Sequence, residues 1–225
     1  MDAVIKVGGS LAEDPEQLKV LCRKLSELAK KYSLIVMPGG GRFADVVRVF
    51  DVRFSLSSRI SHRMAILAMD QFGLLLSDVM LDSRVFHRLE DAEALSEAGV
   101  APIFLPSHLM FQEDPLENSW DVTSDSIAAY VASRVHANKL VLVTNVDGVF
   151  ASDPKKHANA KLLERLSAEK LLELNQRTSV DRYFPKLLLE VHMDCYVVNG
   201  EYPRRIEAIL AGQHTTCTLV SRTTK

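Results

Sequence analysis

Two glycine-rich turns carry the first chemical signal in the chain, Lys6-Val7-Gly8-Gly9-Ser10 and Pro38-Gly39-Gly40-Gly41. Each follows a short apolar run, Ala3 to Val7 and Ser33 to Met37, of the kind that forms a buried strand. Ligands of parallel sheets sit beyond the carboxyl ends of the strands. A glycine turn there exposes backbone N–H groups and admits an anion closely, and the next helix start adds partial positive charge. Lys6 lies two residues before the first glycine, in reach of the same anion. One such turn serves equally well as a tight strand-to-helix connection; two of them, one beside a lysine, point to phosphate. Neither turn fits GxxxxGK followed by Ser or Thr, and neither fits GxGxxG, so the common P-loop and dinucleotide folds are poorly supported.

A second constellation lies on a long helical stretch from Ser57 or Ser58 to about Leu81. Arg59, His62, Arg63, Ile66, Asp70 and Gly73 recur at spacings that share one face. This stripe reads in two ways. It is a small-molecule site, with Arg59, His62 and the nearby Arg53 taking a phosphate, Asp70 taking an ammonium or hydroxyl group, and Gly73 allowing close approach. Alternatively, it is the solvent face of an amphipathic helix. On the first reading, Asp70→Asn selectively weakens an aminated ligand. No clear His–Asp pair offers a general base. A phosphate monoester reacting as a nucleophile needs none, because its second pKa near 6 leaves it mostly dianionic at neutral pH.

The elements that must position these groups alternate along the chain. Asp14 and Pro15 open a helix carrying Leu18, Leu21, Cys22, Leu25 and Leu28 at helical spacing. Further helices are expected over Phe43 to Phe50, Asp91 to Ala98, Ile127 to Val135 (capped by Thr123 or Ser124), Leu171 to Leu174 (capped by Ser167), from Pro185, and over Ile206 to Leu210. Strands are expected at Val100 to Leu105, Lys139 to Thr144, Cys195 to Val198 and Thr216 to Val220. Pro106 to Trp120 reads as a loop, and the polar, turn-rich stretch from Asn145 to Lys161 as a mobile flap. The alternation predicts an α/β fold with a largely parallel sheet covered on both faces.

Composition narrows the class. The 225 residues are 47% hydrophobic and 25% charged, which excludes a disordered, collagen-like or coiled-coil chain. A formal charge of −2, from 27 basic and 29 acidic residues, gives no general case for nucleic-acid or membrane binding. Cys22, Cys195 and Cys217 form no CxxC pair, which argues against a zinc site or disulfide framework and for a reducing cytoplasm. The most apolar stretch, Ala65 to Leu81, is interrupted by Asp70, Gln71 and Asp78, so no membrane helix is expected.

A third segment, Thr144-Asn145-Val146-Asp147-Gly148-Val149-Phe150 followed by Asp153-Pro154, completes a pattern. With KVGGS at Lys6–Ser10, PGGG at Pro38–Gly41 and TSDSIAA at Thr123–Ala129, the chain resembles the amino acid kinase superfamily, motif by motif and in order. The resemblance spans essentially the whole chain. It implies a three-layer αβα sandwich forming one domain over residues 1–225, with an acceptor lobe to about residue 120 and a nucleotide lobe after it. It further implies ATP and Mg²⁺ as cofactors, a small-molecule phosphate acceptor, a cytoplasmic homo-oligomer, and no nucleic-acid or membrane partner. No residues are assigned as metal ligands.

By the same resemblance Lys6, Gly8, Gly9 and Ser10 contact the transferring phosphate, while Gly39, Gly40 and Gly41 cradle the acceptor side. Thr144, Asn145, Asp147, Gly148, Phe150 and Asp153 line the nucleotide. Asp125 matches an acidic position near the reaction centre, or else caps a helix; Lys186 matches a lysine that meets the ATP phosphates, or else is a solvated lysine in a first helical turn. Two departures stand out. Several relatives have an aspartate where Asn145 stands, and many have Gly-Gly-Met before the lysine, where this chain has Arg177-Thr178-Ser179-Val180-Asp181-Arg182-Tyr183-Phe184-Pro185-Lys186.

Ser57–Gly73, Ser119–Tyr130, Thr178–Leu188 and Asp194–Ile206 look like the branch assigned to methanofuran biosynthesis, in which [5-(aminomethyl)furan-3-yl]methyl phosphate becomes a diphosphate at the expense of ATP. A UMP or isopentenyl phosphate kinase, and a nucleotide-binding storage or regulatory protein without turnover, are the alternatives.

Overall fold

A computed structural model describes residues 1–152, 156–157, 159–173, 179–191 and 193–222. The apolar runs form strands: β1 (Ala3–Val7), β2 (Leu34–Pro38), β3 (Ser83–Phe86), β4 (Ala101–Phe104), β5 (Lys139–Thr144), β6 (Arg165–Ser167), β7 (Asp194–Asn199) and β8 (Thr218–Ser221). Among the described residues they join in one sheet in the order β3-β4-β2-β1-β5-β7-β8-β6. Every pairing is parallel except β7 with β8.

The strand period of two divides the core. Val4, Ile35, Met37, Leu140 and Leu142 point into one apolar cluster, and Ala3, Ile5, Leu34, Val36, Val141 and Val143 into the other. Runs that are apolar at every position are what a strand buried on both faces requires. Helices α6 (Ser124–Arg134), α7 (Ala168–Glu173) and α8 (Phe184–Glu190) cover the first face through Ile127, Val131, Leu171, Leu187 and Leu188. The second face is covered by α1 (Pro15–Ala29) and α9 (Arg204–Leu210), through Leu21, Leu25, Ile206 and Ile209. The result is a three-layer αβα sandwich.

Helix α1 begins as its sequence dictates. The Asp14 carboxylate accepts from the N–H groups of Glu16 and Gln17, each at 3.1 Å, and Pro15 occupies the first helical position. Its buried leucines each contribute roughly 1.5–3 kcal/mol.

Beyond β2 come α2 (Gly41–Phe54) and α3 (Ser58–Val79), packed against each other. Helix α2 runs past the expected Phe50 and ends where Ser55 turns left-handed at φ 51°. Helix α3 gives Ile66 and Met69 to one core and Phe72 and Leu76 to the other.

The short α4 (Ala92–Glu97) precedes β4, and Gly99 follows it with φ 69°, as a helix-ending glycine should. The stretch after Pro106, expected as a loop, contains α5 (Ser107–Glu113). Tertiary contacts hold it: the Asp70 carboxylate accepts from the Ser107 N–H at 3.2 Å, and the Arg63 guanidinium lies 4.9 Å from the Phe111 ring centroid. Strands β3 and β6 were not expected; at four and three residues they are too short to show a period. Among the described residues no helix is long and apolar enough to cross a membrane.

Candidate active site

The two glycine turns meet backbone to backbone. The Gly39 N–H donates to the Val7 carbonyl and the Gly8 N–H to the Val143 carbonyl, each at 2.8 Å, which ties the ends of β2, β1 and β5 together. A Cβ on Gly9 would fall 2.1 Å from the Gly41 nitrogen, and one on Gly39 would fall 2.8 Å from the Gly9 nitrogen. The glycines are therefore needed for a close approach of two main chains as well as for any anion. Gly41 has φ 52° and opens α2, whose first-turn N–H groups have no acceptor inside the helix.

Lys6 shares the strand face of Val4, toward α6. There its Nζ lies 2.6 Å from Asp125 Oδ1, with both side chains only 9% exposed. No hydrogen-bond donor meets that oxygen otherwise among the described residues. Asp125 is thus the carboxylate that Lys6 answers to, whereas Asn145 is exposed.

The structure adds a residue that the sequence reading passed over. Asp181 Oδ2 accepts from the Thr123 N–H (2.9 Å), the Thr123 hydroxyl (2.9 Å) and the Ser126 N–H (3.0 Å). Its Oδ1 accepts from the Ser126 hydroxyl (2.6 Å) and the Phe184 N–H (2.7 Å). The Asp181 N–H in turn donates to Asp125 Oδ2 at 3.1 Å. Asp181 therefore fastens the starts of α6 and α8 to each other. The cap of α6 expected from Thr123 or Ser124 comes from Asp181, because the Thr123 hydroxyl is used as a donor to it. Burial, and then the neighbouring Asp125, push the Asp181 carboxyl above the usual aspartate range. The one signal in the sequence was an aspartate three residues before Phe184, at capping spacing.

Two clefts adjoin at this point, sharing Arg48, Trp120 and Thr123. The smaller, about 290 Å³, is lined by Ser10, Gly40, Gly41, Asp45, His62 and Ile66 among others. The larger, about 680 Å³, includes Asp125, Ser179, Asp181 and Lys186 in its wall. Arg48 stacks on Trp120 with its guanidinium carbon 3.9 Å from the ring centroid, and the Trp120 indole N–H donates to Asp51 at 2.6 Å. Lys186 is exposed, its Nζ 5.9 Å from the Tyr183 ring centroid.

The acceptor stripe of α3 is divided. His62 faces the smaller cleft, but burial lowers its pKa below the ordinary histidine value. At neutral pH it is a hydrogen-bonding imidazole and not a cation. Arg53 and Arg59 are exposed and line neither cleft; Arg53 lies by Phe54, 5.7 Å from its ring centroid. Asp70 is not brought to the cleft either, since it holds the Ser107 N–H. Gly73 serves packing: a Cβ there would meet Leu105 at 2.3 Å and Pro38 at 3.2 Å.

Burial raises the Asp70 carboxyl above the ordinary value, with Ser107 acting in the opposite direction. The folded chain thus holds that proton more tightly than the unfolded one. The carboxylate costs stability as pH climbs from the ordinary aspartate value through the folded one. Asp70→Asn should therefore leave acceptor kinetics unchanged and give an equal or higher Tm at pH 7; a raised acceptor KM would return Asp70 to the site.

At the end of β5, Thr144 accepts from the Gly200 N–H at 2.8 Å. Asp147 is held by Arg205 at 2.5 Å and by the Asn199 amide at 3.3 Å. A Cβ on Gly148 would fall 2.3 Å from the Thr218 hydroxyl, and Phe150 pairs with Leu162 in an antiparallel bridge. The Gly148 carbonyl accepts from the Ser179 hydroxyl at 3.1 Å, so this loop adjoins the larger cleft. Asp153 lies outside the described residues, as does part of the segment before Lys186.

The model of the amino acid kinase family matches residues 1–184. The [5-(aminomethyl)furan-3-yl]methyl phosphate kinase of Methanocaldococcus jannaschii is 35% identical over 218 residues, covering 96% of each chain. The uridylate kinase of Thermococcus kodakarensis is 25% identical, covering 96% of this chain and 97% of its own. Among solved structures, uridylate kinase from Archaeoglobus fulgidus shares the fold, with a TM-score of 0.76 at 23% identity over 98% of this chain and all of its own. With its glycine turns, buried lysine and whole-length likeness accounted for together, the chain belongs to the amino acid kinase family, and its chemistry is that of a kinase.

Proposed function

We propose that the chain transfers the γ-phosphoryl group of magnesium-ATP to [5-(aminomethyl)furan-3-yl]methyl phosphate, forming the diphosphate and ADP. The observation that carries this reading is the 35% identity to a kinase of that name across 96% of both chains, against 25% for the uridylate kinase. The paired clefts support it. The acceptor belongs in the smaller one, against the glycine turns and α2 of an N-terminal lobe ending near residue 120, with Val122, Ser124 and Ile127 completing the wall. ATP belongs in the larger one, beside Lys186 and the Thr144–Phe150 loop.

The chemistry needs few groups. An acceptor phosphate oxygen attacks the γ-phosphorus, a new P–O bond forms, and the bond to ADP breaks. No proton must be removed from a dianionic phosphate. Catalysis is then alignment and charge neutralisation. Lys6, fixed by Asp125, and Lys186 supply positive charge, and Gly9, Ser10 and the first turn of α2 supply N–H groups, the Gly8 N–H being used by the Val143 carbonyl. Magnesium enters with ATP and neutralises the charge of its phosphates. Among the described residues no three Asp, Glu, His or Cys side chains converge to hold a metal themselves.

Lys186→Met should lower kcat/KM for ATP by about 10²-fold and leave the acceptor KM within about twofold. An unchanged kcat/KM would make Lys186 a solvated surface lysine. A cytoplasmic homo-oligomer is part of the same proposal. Supporting the oligomer are the exposed Val49, Val52 and Phe54 on α2, and Ile60, Leu67 and Leu74 on α3. A monomer in sedimentation velocity would remove the oligomer. Phosphorus NMR of the furan product, purified away from ATP and ADP, tests the reaction itself: coupled diphosphate resonances are expected, and a phosphorylated amine or alcohol would overturn it.

A further inference from the structure

The smaller cleft contains a carboxylate that makes no hydrogen bond or close ion pair among the described residues. Gly41, Ala44, Asp45 and Arg48 share the face of α2 that lines it. Glu13, the other carboxylate in the lining, is taken by Arg42 at 2.5 and 2.9 Å. Asp51, one turn beyond Arg48, is taken by the Trp120 indole. Asp45 is exposed and sits three residues from both Arg42 and Arg48; its charge is felt at the Arg42 guanidinium, but among the described residues it has no hydrogen bond and no ion pair within 4 Å.

Resting on the function proposed above, we infer that Asp45 is the specificity-determining residue that receives the ammonium group of the acceptor. Its register fits. Asp45 stands four residues beyond Gly41, about 6 Å along the helix from the N–H groups that face the acceptor phosphate. In the furan phosphate seven covalent bonds separate the ammonium nitrogen from the phosphorus, a span of roughly 7 Å at ordinary bond lengths. Between those two ends the cleft offers Ile66, Met69, Trp120 and Val122, an apolar and aromatic wall suited to a flat furan ring. Arg48, stacked on Trp120, reinforces this wall and stands where the two clefts meet. A primary amine carried on a ring, about one helical turn from a phosphate, is thus the class of acceptor this face selects. Asp70, the carboxylate expected to do this from helical spacing alone, points elsewhere.

The test compares two acceptors in wild type and Asp45→Asn: the aminomethylfuran methyl phosphate and the same molecule with a hydroxymethyl group in place of the aminomethyl group. Wild type should prefer the amine by about 10- to 100-fold in kcat/KM, and Asp45→Asn should reduce that ratio to near one, with the KM for ATP unchanged. Asp45→Glu should restore part of the preference. A preference retained in Asp45→Asn, or a wild type that turns over both furans equally, would overturn the role of Asp45 and leave the reaction standing. A wild type that ignores both furans and phosphorylates UMP would overturn the reaction and this role together.

Discussion

Lys6→Met is expected to lower kcat by about 10³-fold, the scale on which a positioned donor at a developing charge acts. The same change should cost about 3–5 kcal/mol of stability, because it leaves the buried Asp125 carboxylate without its counter-ion. The two effects separate in a second variant. Asp125→Asn keeps an acceptor for the Asp181 N–H and removes the charge that Lys6 balanced. The double variant Lys6→Met/Asp125→Asn should therefore recover most of the lost stability, read as urea midpoint, and none of the lost rate. Recovery of activity in the double variant would reduce the pair to a structural ion pair.

Gly9→Ala should be nearly as damaging, for a different reason. Its Cβ would stand 2.1 Å from the Gly41 nitrogen and 2.2 Å from the Gly41 Cα. Both are main-chain atoms, so no side-chain rotation relieves the overlap, and the two glycine turns must separate. Overpacking of this kind costs about 3 kcal/mol or more. Parting the turns also moves the N–H groups of α2 away from those of Gly9 and Ser10, and a misplacement of about 1 Å is worth roughly 10² in rate. The expected result is a folded but weakened protein with a kcat about 10²-fold lower. A fully active Gly9→Ala protein would show that the close approach of the turns has no part in positioning the phosphates.

What was legible in the sequence follows from range. The cap at Asp14 is a contact over two and three residues, and it formed as the spacing required. Alternation of strands and helices gave the layered sheet, because apolar runs flanked by glycine turns have few other ways to bury both faces. Lys6 was visible from its place beside a glycine turn, and the period of two put it on the face that meets α6. Asp181 was not visible, since its partners at Thr123 and Ser126 lie 58 and 55 residues away. Asp70 was misjudged for a related reason. Helical spacing shows which residues share a face, but not which neighbour the face meets, and α5 rather than the cleft packs there. Helix α5 itself was hidden because part of what holds it comes from α3 and not from its own sequence. Asp45 belongs to no motif, and only the pairing of Glu13 with Arg42 shows it as the carboxylate of the cleft without a hydrogen bond or close ion pair among the described residues.

The measurement that tests the central claim most directly is the ratio of kcat/KM for the aminomethylfuran methyl phosphate to that for UMP, followed as ADP release from magnesium-ATP. The account predicts a ratio of at least about 10² in favour of the furan phosphate, since the cleft has an apolar wall of Ile66, Met69, Trp120 and Val122 and the Asp45 carboxylate suits an ammonium group. A ratio at or below one would contradict it and make the chain a uridylate kinase; no ADP with either acceptor would contradict the assignment of this reaction altogether.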